Sequence, residues 1–298
     1  MSHHPNATPD PSRMRRAWAA APVALMLAVA GCGGDQEPST QGAASARSGD
    51  GPQHIHGLGI NPADDSLVIA THTGLFRATA DQQRAKRIGD SYQDTMGFTV
   101  IGPNRFLGSG HPDLQTDLPP LLGLIRSDNA GRNWNPVSLL GKADFHILRA
   151  AGRRVYGINA IDGKLFVSDD GGRTWSARAL PGPTLDLVAH PEEPEHLIAS
   201  GEDELYVSRD GGKGWRPRAS DRAGLLAWTR RETLILLDAQ GAVHRSGDAG
   251  GTWERVGDIG GQPAALGSHR STMYVALHTN AIKISRDGGR SWQLRVAP

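Results

Sequence analysis

The chain of 298 residues contains a single cysteine, Cys32, which rules out any disulfide within it. It has little surplus charge of either sign. The formal net charge is +1, and basic residues cluster only at Arg13, Arg15 and Arg16. A surface built to neutralise phosphates is therefore absent, and nucleic acid is not an expected partner. Long apolar runs are also missing. Ala17–Ala30 is the one notable stretch, and it is too short to span a bilayer as a mature helix. Glutamate is almost absent from the first half of the region after residue 52, and the whole chain has only four tyrosines. Chemistry that needs either residue type thus has few candidates.

The first 52 residues read as targeting and tether. The arginines at 13–16 followed by the short apolar run have the order of a signal peptide. Val29-Ala30-Gly31-Cys32 resembles a bacterial lipobox, which implies cleavage before Cys32 and lipidation of its thiol. Residues 1–31 are then the expected lipoprotein signal peptide, with Met14 as an alternative start. Residues 32–52 are rich in Gly, Ser, Ala, Gln and Asp and read as a flexible tether. The expected location is the extracytoplasmic face of the cell membrane, held by lipid on Cys32. Residues 53–298 suit one large domain.

What the domain has in abundance is repetition. One motif occurs five times: SDNAGRNW (127–134), SDDGGRTW (168–175), SRDGGKGW (208–215), SGDAGGTW (246–253) and SRDGGRSW (285–292). The closing tryptophans, Trp134, Trp175, Trp215, Trp253 and Trp292, lie 41, 40, 38 and 39 residues apart. Ser and Asp side chains can hold a tight turn closed by bonding nearby backbone groups, and glycine supplies a positive φ. The acceptor position holds Asn129, Asp170, Asp210, Asp248 and Asp287, and these positions with the tryptophans are expected to be structural staples. A repeat of about 40 residues flanked by strand patterns predicts an all-β propeller. Parsing each repeat into four strands gives six blades, the first without a recognisable motif. Because the chain starts on an inner strand and ends on an outer one, closure between blades 6 and 1 is expected from side-chain packing alone, unless the tether adds a strand.

The motif resembles the Asp-box, or BNR repeat, of sialidase-like propellers. HIHGLGINP, ATHTGLF, MGFTV and FLGSGHPD further resemble a bacterial lipoprotein group labelled "F510/1955 family" glycosylhydrolases. That resemblance implies a secreted hydrolase fold, and a fold alone does not supply an activity. The sialidase catalytic set is not found: the first strand reads His54-Ile55-His56-Gly57 where an Arg-Ile-Pro element is expected, and Tyr92 is the only tyrosine outside the strands.

Strand order puts the starts of inner strands and the ends of second strands on one face, away from the motif turns. Repeat spacing aligns His56, Met96, His146, Asp186, Leu226 and Ala265 at one level there, with His54, Asp94, Asp144 and Thr184 two residues earlier. His72, His111 and His278 end second strands on the same face. Imidazoles with a thioether suit a transition metal and favour copper, with zinc as the other candidate. The first-choice ligands are His54, His56, His146 and Met96. His72, Asp94, His111, Asp144, Asp186 and His278 complete the expected ligand-binding face. Three other readings stand beside a single copper or zinc ion: a small-molecule or glycan ligand, a glycosylhydrolase of unknown substrate, and a protein-binding assembly module, since photosystem-assembly and sorting-receptor propellers share such boxes. A purely structural role, with the histidines wedged between blades, is the remaining one. The long loop 110–123, with Leu114, Leu118, Leu121 and Leu122, either overhangs this face or folds its leucines back onto the blade.

Overall fold

The computed structural model describes residues 51–218, 222–230 and 233–298. Cys32 and the expected signal peptide lie outside the described residues, as does the tether up to residue 50. The described chain is all-β, with six four-stranded antiparallel sheets. Blade 1 comprises β1 (Ile55–Asn61), β2 (Ser66–Thr71), β3 (Gly74–Ala78) and β4 (Lys86–Arg87). Blade 2 comprises β5 (Asp94–Gly102), β6 (Arg105–His111), β7 (Leu124–Ser127) and β8 (Asn135–Ser138). Blade 3 has β9 (Phe145–Ala151), β10 (Arg154–Asn159), β11 (Lys164–Ser168) and β12 (Ser176–Arg178). Blade 4 has β13 (Asp186–Ala189), β14 (Leu197–Ser200), β15 (Leu205–Ser208) and β16 (Arg216–Arg218). Blade 5 is β17 (Leu225–Arg230), β18 (Thr233–Leu237), β19 (Ala242–Ser246) and β20 (Glu254–Asp258). Blade 6 is β21 (Pro263–His269), β22 (Thr272–Leu277), β23 (Ile282–Ser285) and β24 (Gln293–Val296).

Sequence pattern tracks radial position. The second strands are covered on both faces by neighbouring blades, so β2 (SLVIAT) is buried throughout and β18 (TLILL) nearly so. The outermost strands have free edges and carry Pro136, Arg216, Pro217 and Arg218, residues that discourage further strand pairing. The core is correspondingly divided. Each of six apolar clusters bridges two adjacent blades, as where Leu107 and Leu124 of blade 2 meet Phe145 and Leu148 of blade 3. Burying each such side chain contributes roughly 1.5–3 kcal/mol.

The repeated motif forms the turn between third and fourth strands. In every copy the serine hydroxyl accepts the N–H of the residue four on, at 2.8–2.9 Å. The side chain at the Asp position accepts another turn N–H at 2.9–3.0 Å. Backbone and hydroxyl donation from Thr174 and Thr252 holds the Asp170 and Asp248 carboxyls well below the usual carboxylate range. Asn129 makes the same bond to Asn133 N–H at 2.9 Å, so the turn needs an acceptor oxygen and not a charge. Gly172 adopts φ 89°, and a methyl group there would collide with Leu124 of the preceding blade.

Ring closure uses more than side-chain packing. Arg295 of β24 donates to the carbonyls of Gln82 and Thr79, each at 2.6 Å, and to that of Ala78 at 3.3 Å. Ala297 N–H donates to the Gln83 carbonyl at 2.9 Å. No strand is exchanged between blades 6 and 1 among the described residues. One guanidinium gathers three carbonyls at the motif-less turn of blade 1, which corrects the expectation of closure by packing alone. The six inner strands line an axial cavity of about 390 Å³.

Candidate metal centre

The inner strands begin differently around the ring. In β1 the pairing with β2 slips between Ile55 and Gly57, leaving His56 as the extra residue of a β-bulge. In β5 the slip falls between Thr95 and Gly97, so Met96 is the extra residue. In β9 Phe145 pairs with Asn159 and Ile147 with Ile158, which leaves His146 in the bulge. A bulge frees one residue from the ladder and re-aims its side chain, and such features gather beside functional sites. Blades 4 and 5 enter their inner strands without a slip at this point.

The bulges need room between blades. A methyl group on Gly97 would run into the carbonyl oxygen of Phe145, so glycine lets blade 3 approach blade 2 there. Phe145 N–H then donates to Ser109 Oγ of blade 2 at 2.9 Å, tying down the backbone next to His146.

Three strand beginnings and two strand ends bring five histidines and two aspartates together. Asp94, at the start of β5, faces His111, its cross-strand partner at the end of β6. Asp94 Oδ2 lies 2.9 Å from His72 Nδ1 and 3.4 Å from His111 Nδ1. Asp94 Oδ1 lies 3.9 Å from His56 Nε2. The His56 and His72 rings meet edge to face with centroids 4.4 Å apart, and His54 stands 5.2 Å from His72. On the far side of His111, its Nε2 lies 3.6 Å from Asp144 Oδ2, and His146 Nε2 lies 2.9 Å from the same oxygen.

His56, His72 and Asp94 each offer one ligating atom within 4.8 Å of the other two. His56 Nε2 and Asp94 Oδ1 are both buried and without a hydrogen-bond partner. Their 3.9 Å separation is too long for a hydrogen bond. Two metal–ligand bonds of about 2.0–2.2 Å span that distance. Burial, and then the neighbouring His72, push the His56 imidazole down to about 4 against the opposing pull of Asp94. His56 is therefore neutral at pH 7, the form that binds a metal. The hydrogen bond to Asp144 raises His146 above its ordinary value.

The structure regroups the ligands expected from repeat spacing. Among the described His, Cys, Asp and Glu side chains, the group able to share one ion is His56 with His72 and Asp94, so His72 and Asp94 move to first place beside His56. The reason is that a strand end and a neighbouring strand start meet across a blade interface, whereas equal repeat steps place residues around the axis. His54 is exposed, with φ 52°, and its N–H donates to Asn280 Oδ1 at 3.2 Å. Met96 holds the bulge position in blade 2 and is half-buried. Asp186 does not belong to an open face. It is buried, accepts Arg149 Nη2 at 2.6 Å and Leu226 N–H at 2.8 Å, and so joins blades 3, 4 and 5. Its blade lacks the bulge that would turn the side chain outward. His278 is exposed after β22, and its N–H donates to the Gln262 carbonyl. In blade 6 the extra residue is Ala264, not Ala265. Alternation and spacing do not reveal a bulge, although a glycine one residue after His56 and after Met96 hints at one.

The long loop divides. Leu122 is buried and Leu121 half-buried, while Leu114 is fully exposed and Leu118 partly so. Asp113 anchors the loop to the blade 1–2 connection by accepting Tyr92 N–H at 2.8 Å. A cleft of about 810 Å³ lies elsewhere, on the motif-turn side between blades 2 and 3. Volume there is not matched by converging chemistry: Arg126 is engaged by Asp128 and Arg173 by the Asp170 carbonyl.

Strand order and blade number define a six-bladed β-propeller. Comparison with known proteins supports a β-propeller, without bearing on the number of blades. The sequence profile of the Sortilin-Vps10 family (Sortilin, neurotensin receptor 3) matches residues 123–240, less than half of the chain. No curated protein matches the sequence. Among solved structures, the GH74 xyloglucanase from Xanthomonas campestris is 20% identical with a TM-score of 0.53, over 82% of this chain and 45% of that one. YCF48 bound to a D1 peptide is 16% identical with a TM-score of 0.53, over 82% and 83% of the two chains. YCF48 from Cyanidioschyzon merolae is 12% identical with a TM-score of 0.50, over 80% and 84%. The chain thus spans under half of the xyloglucanase and most of YCF48. At these identities the likeness is one of fold.

Proposed function

We propose that this protein is a lipid-anchored extracytoplasmic propeller that binds a transition-metal ion at one mouth, through His56, His72 and Asp94. The observation that carries the reading is the facing pair of buried, unpartnered atoms, His56 Nε2 and Asp94 Oδ1, 3.9 Å apart with His72 alongside. A buried polar atom without a partner costs about 1–3 kcal/mol, so two in one cluster call for a ligand. Two imidazoles and a carboxylate suit zinc or copper, and copper(II) binds the tighter on equal donors. Anchoring rests on the lipobox-like run before Cys32. The glycosylhydrolase alternative has weaker support. Asp94 and Asp144, the carboxylates of this mouth, are largely buried and turned toward imidazoles, a poor arrangement for reaching a glycosidic oxygen. Metal analysis of the purified full chain, stripped and then reloaded with copper or zinc, tests the reading. Tight retention of metal that His56→Ala with His72→Ala reduces supports it. Less than about a tenth of an equivalent retained by the wild-type chain sinks it.

A further inference from the structure

Tyr92, the one tyrosine outside the strands, is 38% exposed, yet its ring is engaged. The half-buried Arg87 guanidinium lies over it, 4.1 Å from the ring centroid, and over the buried Phe76 ring at 4.6 Å. A planar cation resting on aromatic faces is held in one orientation, which fixes where its N–H groups point. One of them, on Nη1, donates to the carbonyl of Thr73.

His72 and Thr73 form the two-residue turn between β2 and β3, closed by the pairing of Thr71 with Gly74. Thr71 Oγ1 accepts the Thr73 N–H at 3.1 Å and donates to the Gly74 carbonyl at 2.8 Å, so it braces the turn from within. Arg87 braces it from outside. A methyl group on Gly74 would run into Arg87 Nη1 and the Ser91 carbonyl, so glycine lets the guanidinium close on the turn. Arg87 is also the cross-strand partner of Phe76, which is packed in the core between blades 6 and 1. The turn is thereby tied to the core.

His72 needs that support. Its side chain is 43% exposed and is carried on a turn, with His54, His56 and Asp94 against it. Turns are the more mobile parts of a sheet, whereas a ligand must stay within about 0.5 Å of its productive place.

We propose that Arg87 is a positioning residue of the metal site: stacked on Phe76 and Tyr92, it holds the Thr73 carbonyl and so keeps His72 in place for the ion. The proposal rests on the reading of His56, His72 and Asp94 as that site. It also assigns Tyr92 to the support of a ligand.

Copper(II) is the probe. The stripped full chain and its variants are titrated with copper(II), and each complex is read for its dissociation constant and for its EPR spectrum, which reports donor geometry. Arg87→Lys keeps the charge and loses the flat fork. It is expected to weaken copper binding by about 10–100-fold and to alter the EPR spectrum, with about one ion still bound at saturation. Tyr92→Leu removes one stacking face and is expected to weaken binding less, while Tyr92→Phe, which keeps the ring, restores the wild-type constant. On a His72→Ala background, Arg87→Lys is expected to add no further loss, since the ligand it positions is gone. Circular dichroism and urea unfolding of each stripped variant verify folding. If Arg87→Lys unfolds, Tyr92→Leu with and without His72→Ala takes its place.

The outcomes separate the two proposals. Tight copper in the wild type that is lost with His56→Ala and His72→Ala, but unchanged in constant and spectrum by Arg87→Lys, overturns the positioning role and leaves the metal site. An equal loss from Arg87→Lys with and without His72 also overturns it, because the effect then does not pass through His72. No copper retained by the wild-type chain overturns both.

Discussion

Blades 1–3 and blades 4–5 are built from the same repeat, yet their inner strands begin in opposite ways. In blades 1–3 a bulge sits at the mouth and carries His56, Met96 or His146. In blades 4 and 5 the pairing is regular, and the residues at this level are spent on holding the ring together. Asp94 and Asp186 show the contrast most clearly. Each is the first residue of an inner strand, but Asp94 faces three imidazoles, while Asp186 binds Arg149 and the Leu226 N–H. The strand that begins with Asp94 carries a bulge two residues on, and the strand that begins with Asp186 carries none.

That contrast can be broken at several points. The largest effect is expected from Asp94→Asn, which should weaken metal binding by at least about 100-fold while the stripped protein keeps its unfolding midpoint. Isothermal titration with zinc or copper, paired with urea unfolding, measures both. Asp186→Ala should do the reverse. It strands a partly exposed Arg149 guanidinium and an inner-strand N–H, at a cost of about 2–4 kcal/mol in urea unfolding, with metal uptake retained. Gly97→Ala should cost about 1–3 kcal/mol and also impair metal uptake, because blade 3 must move away from the bulge. Loss of stability with unchanged metal affinity would separate the bulge from the blade contact.

Smaller effects sharpen the comparison at the opposite end of blade 4. There His190 and His196 stack with centroids 5.6 Å apart, and both rest edge-on against Trp228. Burial, followed by nearby Arg209, pushes His196 down to about 4. The unfolded chain binds this proton near pH 6.5 and the folded one only near 4, so stability is full above pH 6.5 and falls as pH drops through that window. His196 contributes at most about 1.4 kcal/mol per pH unit to this slope, and His196→Gln should remove that share, leaving the like share of His56, in stripped protein measured by denaturant unfolding. Asn129→Asp should change stability by less than about 0.5 kcal/mol in the same assay, since the amide oxygen already makes the turn's bond.

Much of the architecture can be read from the chain alone. Five spaced turn motifs, apolar second strands and proline-bearing outer strands dictate a propeller of six blades, because turn chemistry and side-chain alternation are local properties. The mouth is readable only in part. Strand order places His54, His56, His72, His111 and His146 on one face, but not their grouping. The sharing of Asp94 by blades 1 and 2, the position of His111 between two carboxylates, the diversion of Asp186 to Arg149 and the Arg295 closure were decided by tertiary structure. Each depends on how far one blade can approach the next. That distance is set by bulges, by glycine at Gly97 and by side chains hundreds of residues apart, none of which a spacing of about 40 residues records.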